Sequence, residues 1–169
     1  MTVLTRWNRC TVQEAVQEIL PCCGSETWAR ELAERRPIPD ESALVAASDE
    51  IWGRLRTEDW LEAFSKHPRI GDRKAPPATS TKSAAWSAQE QQSVTTAGES
   101  IQAALEQANQ EYEQRFGRVF IVCATGKSAT EMLDILRRRL RNDDAGELRE
   151  AAEEQRKITN IRLQKWLSQ

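Results

Sequence analysis

Histidine occurs once in this 169-residue chain, at position 67. That scarcity excludes metal motifs built on two imidazoles and places any imidazole acid–base chemistry on His67. Cysteine occurs four times, as Cys10, the adjacent Cys22 and Cys23, and Cys123. No Cys-x-x-Cys spacing is present, and adjacent cysteines bridge each other only with strain, so neither zinc nor thioredoxin chemistry is indicated. Four reduced thiols in a cytoplasmic protein are the expectation. No apolar run approaches the roughly 18 residues that a bilayer span needs, so no membrane is expected as a partner. Positive charge is not in excess: 24 Lys+Arg stand against 26 Asp+Glu, for a net charge of -2. That balance argues against a nucleic-acid module held by a basic face. The first ten residues lack the apolar core of a secretory signal, and Leu167-Ser168-Gln169 is no recognisable peroxisomal address.

What is present is helical periodicity in a chain long enough for one domain, residues 1–169, with a real core. Val12, Ala15, Val16, Ile19 and Leu20 fall on one helical face, opened by a Thr11/Glu14 capping box and stopped by Pro21. A second segment starts near Ser25, carries Trp28, Ala29, Leu32 and Ala33, and ends before Pro37. A third holds Leu44, Ala47, Ile51, Trp52 and Leu55, and Thr57 caps a short fourth with Trp60, Leu61 and Phe64. Ser87 is expected to open the longest helix, through Val94, Ile101, Leu105 and Tyr112 to Gly117. Val119 to Cys123 is a β-branched run with no partner strand, hence extended chain packed among helices near 119–124. Ser128 and Glu131 start another helix, and a last one follows Asn142-Asp143-Asp144 through Leu148, Ala151, Ala152, Ile158 and Trp166. The fold class is all-α, with about seven or eight helices. The charge runs Arg137-Arg138-Arg139 and Glu153-Glu154 are expected on solvated faces.

The pattern breaks once. His67-Pro68-Arg69-Ile70-Gly71-Asp72 opens a long loop that runs through Arg73, Pro76 and Pro77 towards Trp86. Pro68 disfavours α conformation at His67, which puts the imidazole at a helix-to-loop exit, and Gly71 permits positive φ. Long loops in compact domains carry function, and an imidazole suits proton transfer near neutrality. A single histidine can equally be a surface or core residue.

Two further sites have competing readings. In Ser87-Ala88-Gln89-Glu90 the glutamate can close a capping box, or the same helix start can offer N–H groups and positive dipole to a carboxylate ligand beside Glu90 and Gln91. Ala124-Thr125-Gly126-Lys127-Ser128 follows an apolar run as a phosphate-binding loop does, but the first glycine of that motif would fall on Ile121. A turn and helix cap is the expectation there. A nucleotide-binding protein using Gly126-Lys127-Ser128, or a helical protein-interaction module without catalysis, are the alternatives.

Three segments resemble one family in order and spacing: His67-Pro68-Arg69-Ile70-Gly71-Asp72, Ser87-Ala88-Gln89-Glu90-Gln91, and Arg115-Phe116-Gly117 followed by Phe120-Ile121-Val122-Cys123-Ala124. Together they resemble the 2-oxo-4-hydroxy-4-carboxy-5-ureidoimidazoline (OHCU) decarboxylases of uric acid breakdown, and Leu20-Pro21-Cys22-Cys23-Gly24-Ser25 with Trp28 looks like bacterial members. The resemblance implies an all-helical, usually homodimeric enzyme without cofactor or metal, a carboxy-lyase that forms (S)-allantoin. It places the catalytic histidine on His67 and the site glutamate on Glu90. Substrate contacts would fall on Pro68, on Ser87, Ala88, Gln89 and Gln91, and on Phe120, Ile121, Val122, Cys123 and Ala124, the last group largely through main chain.

Overall fold

A computed structural model describes residues 1–71 and 79–169. Of the expected loop, residues 72–78, with Asp72, Arg73, Pro76 and Pro77, lie outside the described residues. The described chain is all-α: ten α-helices, one 3₁₀ turn and no strand. None of these helices is long and apolar enough to cross a membrane. Packing groups the chain into two compact units, residues 1–63 with 156–169, and residues 64–155.

The first unit holds α1 (Val3–Arg9), α2 (Val12–Ile19), the 3₁₀ turn Leu20–Cys22, α3 (Glu26–Glu34), α4 (Glu41–Arg54) and nearly all of α5 (Thr57–Phe64). Local chemistry sets the starts. Thr11 and Glu14 form the reciprocal capping box, and Ser25 and Asp40 accept N–H bonds at the heads of α3 and α4. Thr57 does not cap α5 but lies within it: the Arg56 carbonyl accepts from Asp59 and Trp60, while the Asp59 carboxylate accepts the Arg56 N–H. The tryptophans are core residues with satisfied indoles. Trp7 donates to the Ala15 carbonyl at 3.0 Å and meets Trp166 edge-on at 5.7 Å, and Trp28 donates to Ser48 Oγ at 3.1 Å. Burial pushes the Cys23 thiol up to about 12, against hydrogen bonds from Thr159 and Ser25, so it stays an inert thiol.

The second unit contains α6 (Thr81–Glu90), α7 (Gln92–Thr95), α8 (Glu99–Phe116), a segment without helix or strand at 119–124, α9 (Ala129–Arg139) and the start of α10 (Asp144–Leu167). Helix α8 ends at Gly117, whose φ of 70° is the left-handed conformation that closes a helix without a Cβ penalty. It packs along α9 over a core of Leu105, Ala108, Tyr112, Met132, Leu133 and Leu136. The stretch expected to be extended, 119–124, lies in neither helix nor strand.

Ten helices replace the expected seven or eight for identifiable reasons. The short α1 carries little apolar periodicity, with only Leu4 and Trp7 buried. The stretch read as one helix from Ser87 is three. Ser80 accepts the Ser83 N–H at 3.1 Å and starts α6 six residues before Ser87. The chain then turns at Gln91 and again at Thr96 to Gly98, where Gly98 adopts an extended conformation before α8. The longest helix is α10, with 24 residues.

Candidate active site

Because Ser80 caps α6, Ser87 is no helix cap. It sits buried in the last turn, where its carbonyl accepts the Gln91 N–H at 3.1 Å. Neither the capping box at Ser87–Glu90 nor the N-terminal anion site exists. Glu90 instead lies at the carbonyl end of α6, the negative end of the helix dipole, where a carboxylate is disfavoured by roughly 0.3–1 kcal/mol. A residue that breaks a local rule at a half-buried position is held there by something other than helix stability. Glu90→Ala is therefore expected to leave the melting temperature unchanged or slightly raised while activity is lost. A fall in melting temperature with full activity would return Glu90 to a structural role.

His67 stands just beyond α5, where its N–H donates to the Phe64 carbonyl at 3.1 Å. It is 8% exposed, and its Nε2 lies 2.6 Å from Oε1 of the fully buried Gln155 on α10. Pro68 and Ile70 are also buried. The next peptide is held from both sides: Asn109 of α8 donates to the Ile70 carbonyl and Gln91 Oε1 accepts the Gly71 N–H, each at 3.0 Å. Gly71 has φ of 97°, so the loop turns there as only glycine does readily. Arg69 pairs through two nitrogens with Glu113, one turn beyond Asn109 on α8. Three residues of the His67 loop, Arg69, Ile70 and Gly71, are thus tied to α8 and to the end of α6. A cleft of about 400 Å3 adjoins Arg69, Ile70, Gly71 and Asn109, but neither His67 nor Glu90 lines it.

Segment 120–124 is anchored through part of its main chain. The Ile121 carbonyl accepts from Arg139, the Cys123 N–H donates to Glu154 at 3.3 Å, and the Cys123 carbonyl accepts from Lys127 Nζ at 2.7 Å. Val122 is 4% exposed, and among the described residues neither its N–H nor its C=O has a hydrogen-bond partner. A buried peptide with an unused donor and acceptor is a place where a ligand amide can pair. The side chains of Phe120 and Ile121 are core: Phe120 lies under the Arg139 guanidinium at 4.5 Å and edge-on to Tyr112 at 5.3 Å.

Charge links these groups. Burial holds the Cys123 thiol above its ordinary value; Lys127 pulls it down, while the Glu154 and Glu90 carboxylates push it up. Glu154 precedes Gln155, the partner of His67. Within residues 64–155, His67 bonds Gln155 of α10, the Cys123 N–H bonds the preceding Glu154, and Gly71 bonds Gln91. The side chains of Ala88 and Gln89 are exposed on α6. At Gly126, φ of 78° closes a turn from Ala124 to Lys127, and Ser128 caps α9. Lys127 is spent on the Cys123 carbonyl, so this stretch is a turn and helix cap. No group of three or more metal-ligating side chains occurs among the described residues.

Residues that sequence periodicity passed over support these contacts. Arg139, expected on a solvated face, is fully buried, unlike its exposed neighbours Arg137 and Arg138. Glu154, expected on a solvated face, is half-buried on the Cys123 N–H. The available signal was a polar residue at a core register: Gln155 continues Leu148, Ala151 and Ala152, and Asn109 lies between Leu105 and Tyr112.

A family model described as OHCU decarboxylase matches residues 8–164. The chain belongs to the OHCU decarboxylase family. It is 35% identical over 147 residues to the uric acid degradation bifunctional protein TTL of Arabidopsis thaliana, covering 87% of this chain and 45% of that protein. It is 27% identical over 167 residues to the uric acid degradation bifunctional protein of Bacillus sp. (strain TB-90), covering 97% of this chain and 32% of that protein. The chain thus spans less than half the length of these two relatives. A 2-oxo-4-hydroxy-4-carboxy-5-ureidoimidazoline decarboxylase of Amia calva is 29% identical over 154 residues, with 88% of this chain and 82% of that protein covered. Among solved structures, an OHCU decarboxylase crystallised in the presence of (S)-allantoin superposes with a TM-score of 0.76 at 33% identity, covering 90% of this chain and 98% of that one.

Proposed function

We propose that this chain is a carboxy-lyase that decarboxylates OHCU to (S)-allantoin in urate breakdown, with no cofactor. The observation that carries the reading is that the family match, over residues 8–164, spans His67, Glu90 and segment 120–124. The match also runs through both compact units, which supports one catalytic domain over residues 1–169.

The chemistry fits the residue types. In OHCU, C4 bears a carboxylate and a hydroxyl and C5 is an imine carbon. When the C4–carboxylate bond breaks, its electron pair forms C4=C5, the imine pair takes a proton on nitrogen, and CO2 leaves. Protonation of C5 on one face and loss of the C4 hydroxyl proton then give the C4 carbonyl of allantoin. The substrate supplies its own electron sink. His67 orients the carboxylate and the C4 hydroxyl and moves the proton between them and C5. Glu90 accepts a hydrogen bond from the hydroxyl or a ring N–H, and Val122, with its neighbours in 120–124, pairs with the ring amide or ureido group. Pro68 and Gln91 shape the wall beside His67. Burial around His67 and Cys123 limits the water that solvates the carboxylate, which favours release of neutral CO2.

The test is turnover of freshly generated OHCU by the wild-type protein, read as CO2 release above the uncatalysed rate. Turnover at the uncatalysed rate would overturn the reading. The same reading carries a homodimer in the cytoplasm, which the family resemblance supports and light scattering at assay concentration checks.

A further inference from the structure

We infer that Gln155 is a positioning residue that holds His67 in the tautomer with the proton on Nε2, making Nδ1 the ring atom that takes and returns the reaction's proton. The inference rests on the reading of His67 as the proton-transfer group. His67 Nε2 and Gln155 Oε1 are 2.6 Å apart, with His67 8% and Gln155 0% exposed. An amide oxygen has no proton to give, so the bond requires Nε2–H. In the neutral ring the lone pair then belongs to Nδ1, and proton exchange falls to that atom.

Both ends of this bond are fixed. Gln155 belongs to the buried face of α10 with Ala151, Ala152 and Ile158, so its side chain has little room to swing away. On the other side, the His67 N–H is held by the Phe64 carbonyl, and Pro68 restricts the backbone that carries the ring. The partner is also neutral. A carboxylate there would stabilise the imidazolium and favour keeping the proton. An amide sets the ring's direction and tautomer while adding no net charge. That suits a step in which the ring both accepts a proton and releases it to carbon. Gln155 shares the buried face of α10 with the polar Glu147, Thr159 and Arg162 as well as with Ala151, Ala152 and Ile158.

His67 is the only histidine, so an imidazole labelled with nitrogen-15 gives one signal per ring nitrogen and needs no assignment. In the wild-type protein, at a pH where the ring is neutral, the Nε2 signal is expected to be of the protonated type and Nδ1 of the unprotonated type. Gln155→Met, which keeps the volume and removes the acceptor, is expected to mix or reverse the two signals. It should also lower kcat by about tenfold or more with KM within about twofold. Gln155→Glu, which restores an acceptor, is expected to restore the Nε2–H signal. A wild-type ring protonated on Nδ1 overturns the inference even if no variant folds. So does a Met variant whose melting temperature falls while ring signals and kcat stay as in the wild type. Wild-type ring signals as expected, in a protein that does not turn over OHCU, would uphold the tautomer and overturn only the proposed reaction.

Discussion

Replacing His67 with asparagine is expected to lower stereospecific formation of (S)-allantoin by about 10²–10⁴-fold, the usual contribution of a positioned acid–base group. Asparagine can still donate a hydrogen bond near Gln155, but it cannot exchange a proton near neutrality. With no other histidine in the chain, no second imidazole can stand in. His67 lies at a helix exit rather than in the middle of a helix, so the variant is expected to keep its helical circular dichroism. What should survive is the uncatalysed loss of CO2, with protonation of C5 on either face. An undiminished stereospecific rate in His67→Asn would remove His67 from the mechanism.

Glu147→Ala is expected to destabilise the fold by about 3–5 kcal/mol, because it leaves a buried charge without its partner. Arg139 and Glu147 are both fully buried and paired. Glu147 also accepts the Tyr112 hydroxyl at 2.6 Å and the Asn142 amide at 3.0 Å. Burial first, and then this carboxylate, hold the Tyr112 phenol well above its ordinary value, so it remains the donor. Without Glu147, the Arg139 guanidinium keeps the Ile121 carbonyl and a longer approach to Glu150 at 3.7 Å. The control is one residue away. Arg138 is 57% exposed and pairs with Glu150, so Arg138→Ala is expected to cost about 0–1 kcal/mol. Urea unfolding of the two variants checks the contrast. Equal losses would mean that the buried pair contributes no more than a surface one. Because Arg139 also grips Ile121 and covers Phe120, surviving Glu147→Ala protein should bind substrate more weakly, through a loosened 120–124 segment.

Much of this architecture was legible because local chemistry and tertiary packing agree. Thr11 with Glu14, Ser25 and Ser128 start helices where their side chains can accept N–H bonds, and Pro68 puts His67 at a helix exit. Ser87 failed because the Ser-x-x-Glu spacing is purely local, and Ser80 had already started the helix with the same chemistry. Periodicity ran on through Thr96–Gly98 because Val94 and Ile101 keep helical spacing across the break. The charged residues failed for another reason. Arg139 and Glu154 find their partners 8 to 31 residues away, and a charge run reads as solvated until those partners are placed. The segments that carry the family resemblance stayed readable because they name residue types. The elements that fix their geometry, Gln155, Asn109 and Arg139, became visible only through packing.

The handedness of the allantoin separates catalysis from spontaneous decay of OHCU. Urate oxidised enzymatically to OHCU in the same cuvette, with this protein added, should yield allantoin whose circular dichroism is that of the (S) enantiomer alone, at a rate proportional to protein. Racemic allantoin formed at the rate seen without the protein would contradict it.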